Sequence, residues 1–302
     1  MDDEHTGDGG GREFGRVLKT LRSRMLDETY PVNTFLPPQR ELAEELDVSR
    51  DTVRRVVREL TSEGWISTRQ GSGSKVIKTQ RIESSAARAG RSPGRVALAP
   101  LISEAFERPE VTLDVFTLTS ESLDAHIRLQ SERIREKEIA PESIALRMLL
   151  PDPSLDLPYP RNRDDRDDPR LRERLRAITD SHTESLVRSL RDLRTEELVA
   201  EVQVDIRHTP LTPAFKLYLL NGVEALHGMY DIIERPIELD GGEVVTALDV
   251  LGLGATLTHH VAAPNASAAS ESVFVHSMQA WFDSVWRHLS HRPASGSIPA
   301  TD

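Results

Sequence analysis

The sequence contains no cysteine in its 302 residues. That excludes a disulfide-stapled scaffold, a thiolate zinc site and a cysteine nucleophile. No apolar run approaches the ~18 residues that a membrane-spanning helix needs. The first residues, Met1 to Gly11, are acidic and glycine-rich, with neither the basic start nor the apolar stretch of a secretory signal. There is no internal repeat and no overall surplus of positive charge: 38 Lys and Arg stand against 49 Asp and Glu, a net charge of −11. What remains is the expectation of a soluble, cytoplasmic protein without a membrane partner. At roughly 100–200 residues per domain, the length suggests two domains.

The charge is unevenly spread. From Gly11 to Gln80 there are 13 Lys and Arg against 10 Asp and Glu, a balance of +3. The first ten residues carry four acids and no base, and residues 81–302 hold the other 25 bases with 35 acids. Phosphate binding responds to the local field more than to the total. A mildly basic amino-terminal module thus precedes a strongly acidic larger one.

Between Glu13 and Glu28, Phe14, Val17, Leu18, Leu21 and Met25 fall at helical spacing. Pro38 suits the first turn of a second helix whose buried stripe is Leu42, Ala43 and Leu46. After the short turn Asp47-Val48-Ser49, Ser49 is a good N-cap for a third helix, Arg50 to Ser62, with Val53, Val56, Val57 and Leu60 inward. Gly64 ends it, and Trp65–Arg69 and Lys75–Lys78 read as two strands around Gln70-Gly71-Ser72-Gly73. Three helices and a hairpin predict a winged helix-turn-helix over 11–78.

Residues 79–97, rich in Ser, Arg, Ala, Gly and Pro, read as a flexible linker. Beyond it, over 98–290, Val111–Leu118, Ser122–Glu138 and Ser143–Leu150 form a strand–helix–strand unit, which predicts an α/β domain with parallel strands. Pro151–Pro169 reads as an acidic surface loop and Leu171–Leu193 as a long amphipathic helix. Strands are expected at Val202–Arg207, Phe215–Leu220, Gly228–Ile233 and Val244–Leu251. A closing helix, Val273–Leu289, carries Phe274, Met278, Trp281, Phe282, Val285 and Leu289 on one face, which reads as core. Residues 291–302 read as a disordered tail.

The basic residues of the first module sit where a DNA reader needs them. Arg50 and Arg54 lie four apart, on one face of the third helix and away from its valine stripe. A guanidinium fork matches guanine O6 and N7 in the major groove. Ser49 and Thr52 hydroxyls can donate to phosphates near the positive end of the helix, and Gly71 and Gly73 allow the wing backbone close approach.

These residues resemble the GntR family of bacterial transcription regulators. The run Leu36-Pro37-Pro38-Gln39-Arg40-Glu41-Leu42-Ala43 is similar to the family's L-P-S-E-R-E-L-A helix, and Val48-Ser49-Arg50-Asp51-Thr52-Val53-Arg54 to its V-S-R-T-T-V-R recognition helix. Glu63-Gly64-Trp65-Ile66 and Arg69-Gln70-Gly71-Ser72-Gly73 resemble its helix end and wing. The resemblance implies contacts to double-stranded DNA from Arg40, Ser49, Arg50, Thr52, Arg54, Gln70 and Gly71. Asp51 departs from it, because an acid where the family has Thr cannot donate to a phosphate.

The second domain carries a weaker likeness. Ala214-Phe215-Lys216-Leu217-Tyr218-Leu219-Leu220-Asn221-Gly222 resembles the phospholipase D superfamily pattern H-x-K-x-x-x-x-D-G. Ala214 replaces the nucleophilic His, so the resemblance implies a site without catalysis in which Lys216 and Asn221 bind an anion. His259 and His260, as neighbours on a strand, point to opposite faces and cannot share one metal. The sequence therefore predicts a homodimeric, ligand-responsive regulator, repressor or activator, that reads a pseudo-palindromic operator, with an unknown small, anionic effector and with no cofactor, metal or catalytic residue. Two alternatives stay open: a DNA-tethered phosphodiesterase, and a regulator whose second domain docks a protein partner.

Overall fold

A computed structural model of the chain describes residues 9–26, 29–31, 34–62, 65–69, 73–76, 81–84, 95–239, 243–250, 257–262 and 270–293. They fall into two compact units, 1–80 with 97–100 and 81–96 with 101–302.

In the first unit α1 (Gly9–Leu26), α2 (Gln39–Glu45) and α3 (Arg50–Ser62) precede a hairpin of β1 (Ile66–Arg69) and β2 (Gly73–Val76). Spacing of three and four along α1 buries Val17, Leu18, Leu21 and Met25 on one face. The same spacing along α3 buries Val53, Val56, Val57 and Leu60, and α1 packs on α3. Leu42 and Ala43 of α2 close the core with Trp65, Ile66 and Val76. Each fully buried Val, Leu, Ile or Met among them contributes about 1.5–3 kcal/mol. Asp47 makes the turn after α2 with φ of 50°, in the left-handed region. The Trp65 N–H donates to Leu60 O at 2.8 Å and ends α3. The chain before α2 joins the wing: Leu36 N–H donates to Ser74 O at 2.8 Å and Val76 N–H to Thr34 O at 2.9 Å.

The larger unit is built on an eight-stranded sheet. The elements after the hairpin are, in chain order, β3 (Arg81–Ser84), β4 (Arg95–Ala97), α4 (Leu98–Ala105), β5 (Glu110–Phe116), α5 (Glu121–Arg135), β6 (Ser143–Pro151), β7 (Arg161–Asn162), α6 (Arg170–Thr195), β8 (Glu201–Thr209), β9 (Phe215–Leu220), β10 (Glu224–Met229), β11 (Ile232–Glu238), β12 (Val244–Val250), β13 (Leu257–Val261) and α7 (Ser270–His288). The large sheet runs β4-β3-β13-β10-β9-β5-β6-β8. β5, β6 and β8 are parallel, with α5 and α6 in the crossovers; β9 is antiparallel to β5, β10 to β9 and β13 to β10, and β3 runs parallel to β13. β11, β12 and β7 make a small antiparallel sheet.

The expected mixed α/β domain is present, and most of the stripe on α7 is core: Val275, Phe282, Val285 and Trp286 bury against Phe116, Leu149, Leu217 and Leu219, with Phe274, Met278 and Trp281 packed alongside, whereas Leu289, expected on the same face, lies beyond the end of the helix and is exposed. Three expectations are corrected. The stretch 79–97 contains β3 and β4, so part of the supposed linker belongs to the sheet; its apolar residues are too sparse to show a period, and pairing with β13 supplies the order. The single strand expected at Gly228–Ile233 is two strands in different sheets. Its break falls at buried Tyr230, whose N–H donates to Ala214 O at 3.0 Å and whose hydroxyl accepts the Leu118 N–H at 2.9 Å. The loop 151–169 holds β7, paired with β12. Of the tail, His291 bridges to His208 and residues 294–302 lie outside the described residues. Among the described residues no helix is long and apolar enough to cross a membrane.

Candidate nucleic-acid interface

The interface is built from the turn between α2 and α3 outward. The Ser49 Oγ accepts the Thr52 N–H at 3.1 Å and lies 2.9 Å from the Thr52 hydroxyl. This is an N-cap that satisfies one of the orphan donors at the start of α3. Both residues named as phosphate donors are therefore also parts of the cap, and Thr52 is buried while Ser49 is exposed. The Arg16 Nη2 donates to Leu46 O at 2.7 Å and ties α1 to the same turn.

Arg50, Arg54 and Arg40 are all exposed. Arg54 is ion-paired with Asp51 and Arg40 with Glu44, at 3.1 Å in the latter case. Such exposed pairs are worth about 0.2–1 kcal/mol, whereas a good bidentate base contact gives about 1–3 kcal/mol of discrimination. The pair with Asp51 is thus too weak to keep the Arg54 guanidinium from turning toward another partner. Asp51 departs from the family pattern and has a local function, to hold Arg54 over the first turn. Arg55, the next residue, is turned away from this face, its guanidinium 5.0 Å from the Phe14 ring of α1. The spacing that puts Arg54 on the face of Arg50 leaves Arg55 off it, and the Phe14 ring shows where Arg55 goes. On the wing, Gly73 has φ of 84°, a conformation that favours glycine, and the Phe35 ring lies 3.5 Å from where a Cβ would stand. Gln70 and Gly71 lie outside the described residues.

The residues proposed for an anion site in the larger unit are not brought together. Lys216 and Asn221 sit at or just beyond opposite ends of β9, and five residues of strand span about 16 Å. Asn221 turns the chain into β10 with φ of 52°; its N–H donates to Thr112 O and its Oδ1 accepts the Thr112 N–H, both at 2.8 Å, while its Nδ2 donates to Ala105 O at 3.1 Å. Its polar atoms are used in holding the turn. Lys216 is buried, with Nζ 5.5 Å from the centre of the Tyr230 ring. Burial pushes the Tyr230 hydroxyl up to about 12, so it is a neutral donor and acceptor beside Thr117. His259 and His260 take separate carboxylates, Glu224 and Glu271, each at 2.6 Å, on opposite faces of β13.

Residues 15–76 match the family model for bacterial regulatory proteins of the gntR family. They are a GntR-family winged helix-turn-helix domain. Over 61 residues the chain is 41% identical to an uncharacterized HTH-type transcriptional regulator of Mycobacterium tuberculosis, which covers 20% of this chain and 25% of the relative. Over 69 residues it is 35% identical to the Exu regulon transcriptional regulator of Escherichia coli K12, covering 23% and 27%. A solved GntR family transcriptional regulator from Listeria monocytogenes shares 25% identity across 26% of this chain and 62% of its own, with a TM-score of 0.21. The chain thus spans about a quarter of the length of these curated relatives. The GntR match ends at residue 76, and the phospholipase D-like pattern lies outside it.

Proposed function

We propose that the protein is a transcription regulator that binds a pseudo-palindromic DNA operator as a homodimer, through its GntR domain. The observation that carries this reading is the division of α3 into a wholly buried valine–leucine face and an exposed start bearing Arg50 and Arg54. That arrangement suits insertion of the helix's first turns into a major groove, and two copies suit two half-sites about one helical turn apart. The match of residues 15–76 to a family of regulators supports it further.

The larger unit is the sensing module in this reading, and it does no chemistry at Ala214, which has no nucleophile. Lys216 supports a small anionic effector. It is a buried lysine just past the carboxyl end of β5, and ligands of open α/β sheets favour the carboxyl ends of the strands. Asn221 takes no part in that site. Enrichment of bound sequences from a random DNA pool, followed by gel retardation with the full chain, tests the main reading. Retardation that weakens steeply with salt is the expected result. Failure to retard any enriched pool at low salt overturns it.

A further inference from the structure

Most arginines of the first unit whose side chains are described are already engaged. The Arg16 guanidinium donates to Leu46 O, Arg24 pairs with Glu45, Arg40 with Glu44 and Arg54 with Asp51, and Arg55 lies over the Phe14 ring. Arg22 is buried. Two stand apart. Among the described residues, Arg50 and Arg58 have no ion pair, and both are exposed on α3. The sequence around Arg58 accounts for its isolation. One turn back stand Arg54 and Arg55, and one turn on stand Thr61 and Ser62, so no carboxylate lies three or four residues away. Like charges at those spacings weaken a helix. Nor does Arg58 reach the last turn of α3, where a cation would offset the helix dipole. Within the protein alone, this cation stabilises nothing.

Its position on the helix decides what it can meet. Arg58 is eight residues beyond Arg50, about 12 Å along the axis and about 80° around it. It points nearly opposite the buried stripe of Val53, Val56, Val57 and Leu60. The major groove of DNA is itself only about 12 Å wide. With the first turns of α3 at the base edges, a side chain that far along has left the floor of the groove and stands at its wall, among the phosphates. We propose that Arg58 binds a backbone phosphate on the rim of the groove that α3 enters, and so supplies affinity without sequence information. This rests on the DNA-binding reading above and divides the helix by task. Arg50 and Arg54 read bases, and Arg58 holds the strand. A phosphate accepts a guanidinium fork in two hydrogen bonds, and its charge relieves the repulsion from Arg54 and Arg55. Unlike Arg54, Arg58 gives up no ion pair of its own on binding.

The test uses the full chain with a duplex enriched from a random pool, beside a scrambled duplex of the same length. Arg58→Ala should weaken binding to both by the same factor. Losing one phosphate contact lowers the slope of log affinity against log salt by about 0.9, so the advantage of the wild type should shrink about threefold per bound copy between about 50 and 200 mM salt. Arg58→Lys keeps a point charge and should keep the slope, whereas Arg58→Gln should behave as the alanine variant does. Arg58→Ala also removes a like-charge neighbour, so without DNA it should unfold no earlier than the wild type. If the wild type binds and Arg58→Ala leaves affinity and slope unchanged, Arg58 lies outside the interface and the proposal is wrong. A changed ratio of cognate to scrambled affinity, not restored by lysine, assigns Arg58 to a base edge and overturns it equally. Earlier unfolding of Arg58→Ala, with binding lost in the lysine variant as well, makes Arg58 a structural residue and also overturns it. If the wild type retards neither duplex, the DNA-binding reading falls first and this proposal with it.

Discussion

Arg54 and Asp51 form an exposed ion pair one turn apart at the start of α3, so the cation placed to read DNA brings its own carboxylate to the interface. The pair holds the guanidinium over the first turn, and in the proposed complex Asp51 would repel the phosphates that flank the groove. The two residues therefore oppose each other in binding. Arg54→Ala should cost about 1–3 kcal/mol at the cognate site and relax specificity there. Asp51→Ala should raise affinity for all sequences alike. Titrations of both variants against cognate and scrambled duplexes at several salt concentrations separate the two effects.

The Ser49 cap bears on stability apart from any DNA contact. Ser49→Ala should destabilise the GntR domain by about 1 kcal/mol, and Ser49→Gly by only a few tenths. Denaturant unfolding reads this without DNA. If both variants unfold like the wild type while binding is lost, the hydroxyl serves the phosphate alone.

His126 of α5 is fully buried, and neither of its ring nitrogens has a hydrogen-bond partner. Burial pushes its imidazole down to about 4. A histidine depressed on folding takes up its proton more readily in the unfolded chain. Its contribution is therefore complete above about pH 6.5 and is lost as pH falls toward 4, by up to ~3 kcal/mol. His126→Leu should remove that part of the acid sensitivity. His208 and His227, also lowered by burial, are common to both proteins and cancel in the comparison. Parallel unfolding curves for wild type and variant across pH 7 to 4 would contradict this account.

Asn221 should behave as a turn residue. Asn221→Ala loses two side-chain hydrogen bonds and strains a left-handed backbone, at a cost of about 2–4 kcal/mol; Asn221→Gly recovers the backbone part. Thermal unfolding checks the order wild type, Gly, Ala. An effector whose binding is abolished in the glycine variant, with its stability otherwise nearly intact, would return Asn221 to the site.

The GntR domain was legible because its periods are local. Val53, Val56, Val57 and Leu60 announce a helix within one short window, and Ser49 marks its start in the residue before it. Ion pairing was not legible, since Asp51 could as well have faced Arg55 until the Phe14 ring fixed where Arg55 goes. In the larger unit the strand–helix–strand stretch was readable for the same local reason. β3 was not, because Arg81-Ile82-Glu83-Ser84 has one apolar residue and takes its order from a strand more than 170 positions away. Lys216 and Asn221 were joined by a motif read along a line. The line is a strand, and a strand keeps its ends apart.

The pairing of β3 with β13 also decides where this protein can be cut. A fragment begun at residue 98, after the apparent linker, loses β3 and β4 and leaves β13 as a bare edge with Leu257 uncovered on that side. Such a fragment invites aggregation through strand addition. A fragment begun at 81 keeps the two strands with the sheet to which they belong. The boundary that serves expression and crystallisation is therefore set by hydrogen bonding to the far end of the chain, and the composition of the segment itself is a poor guide to it.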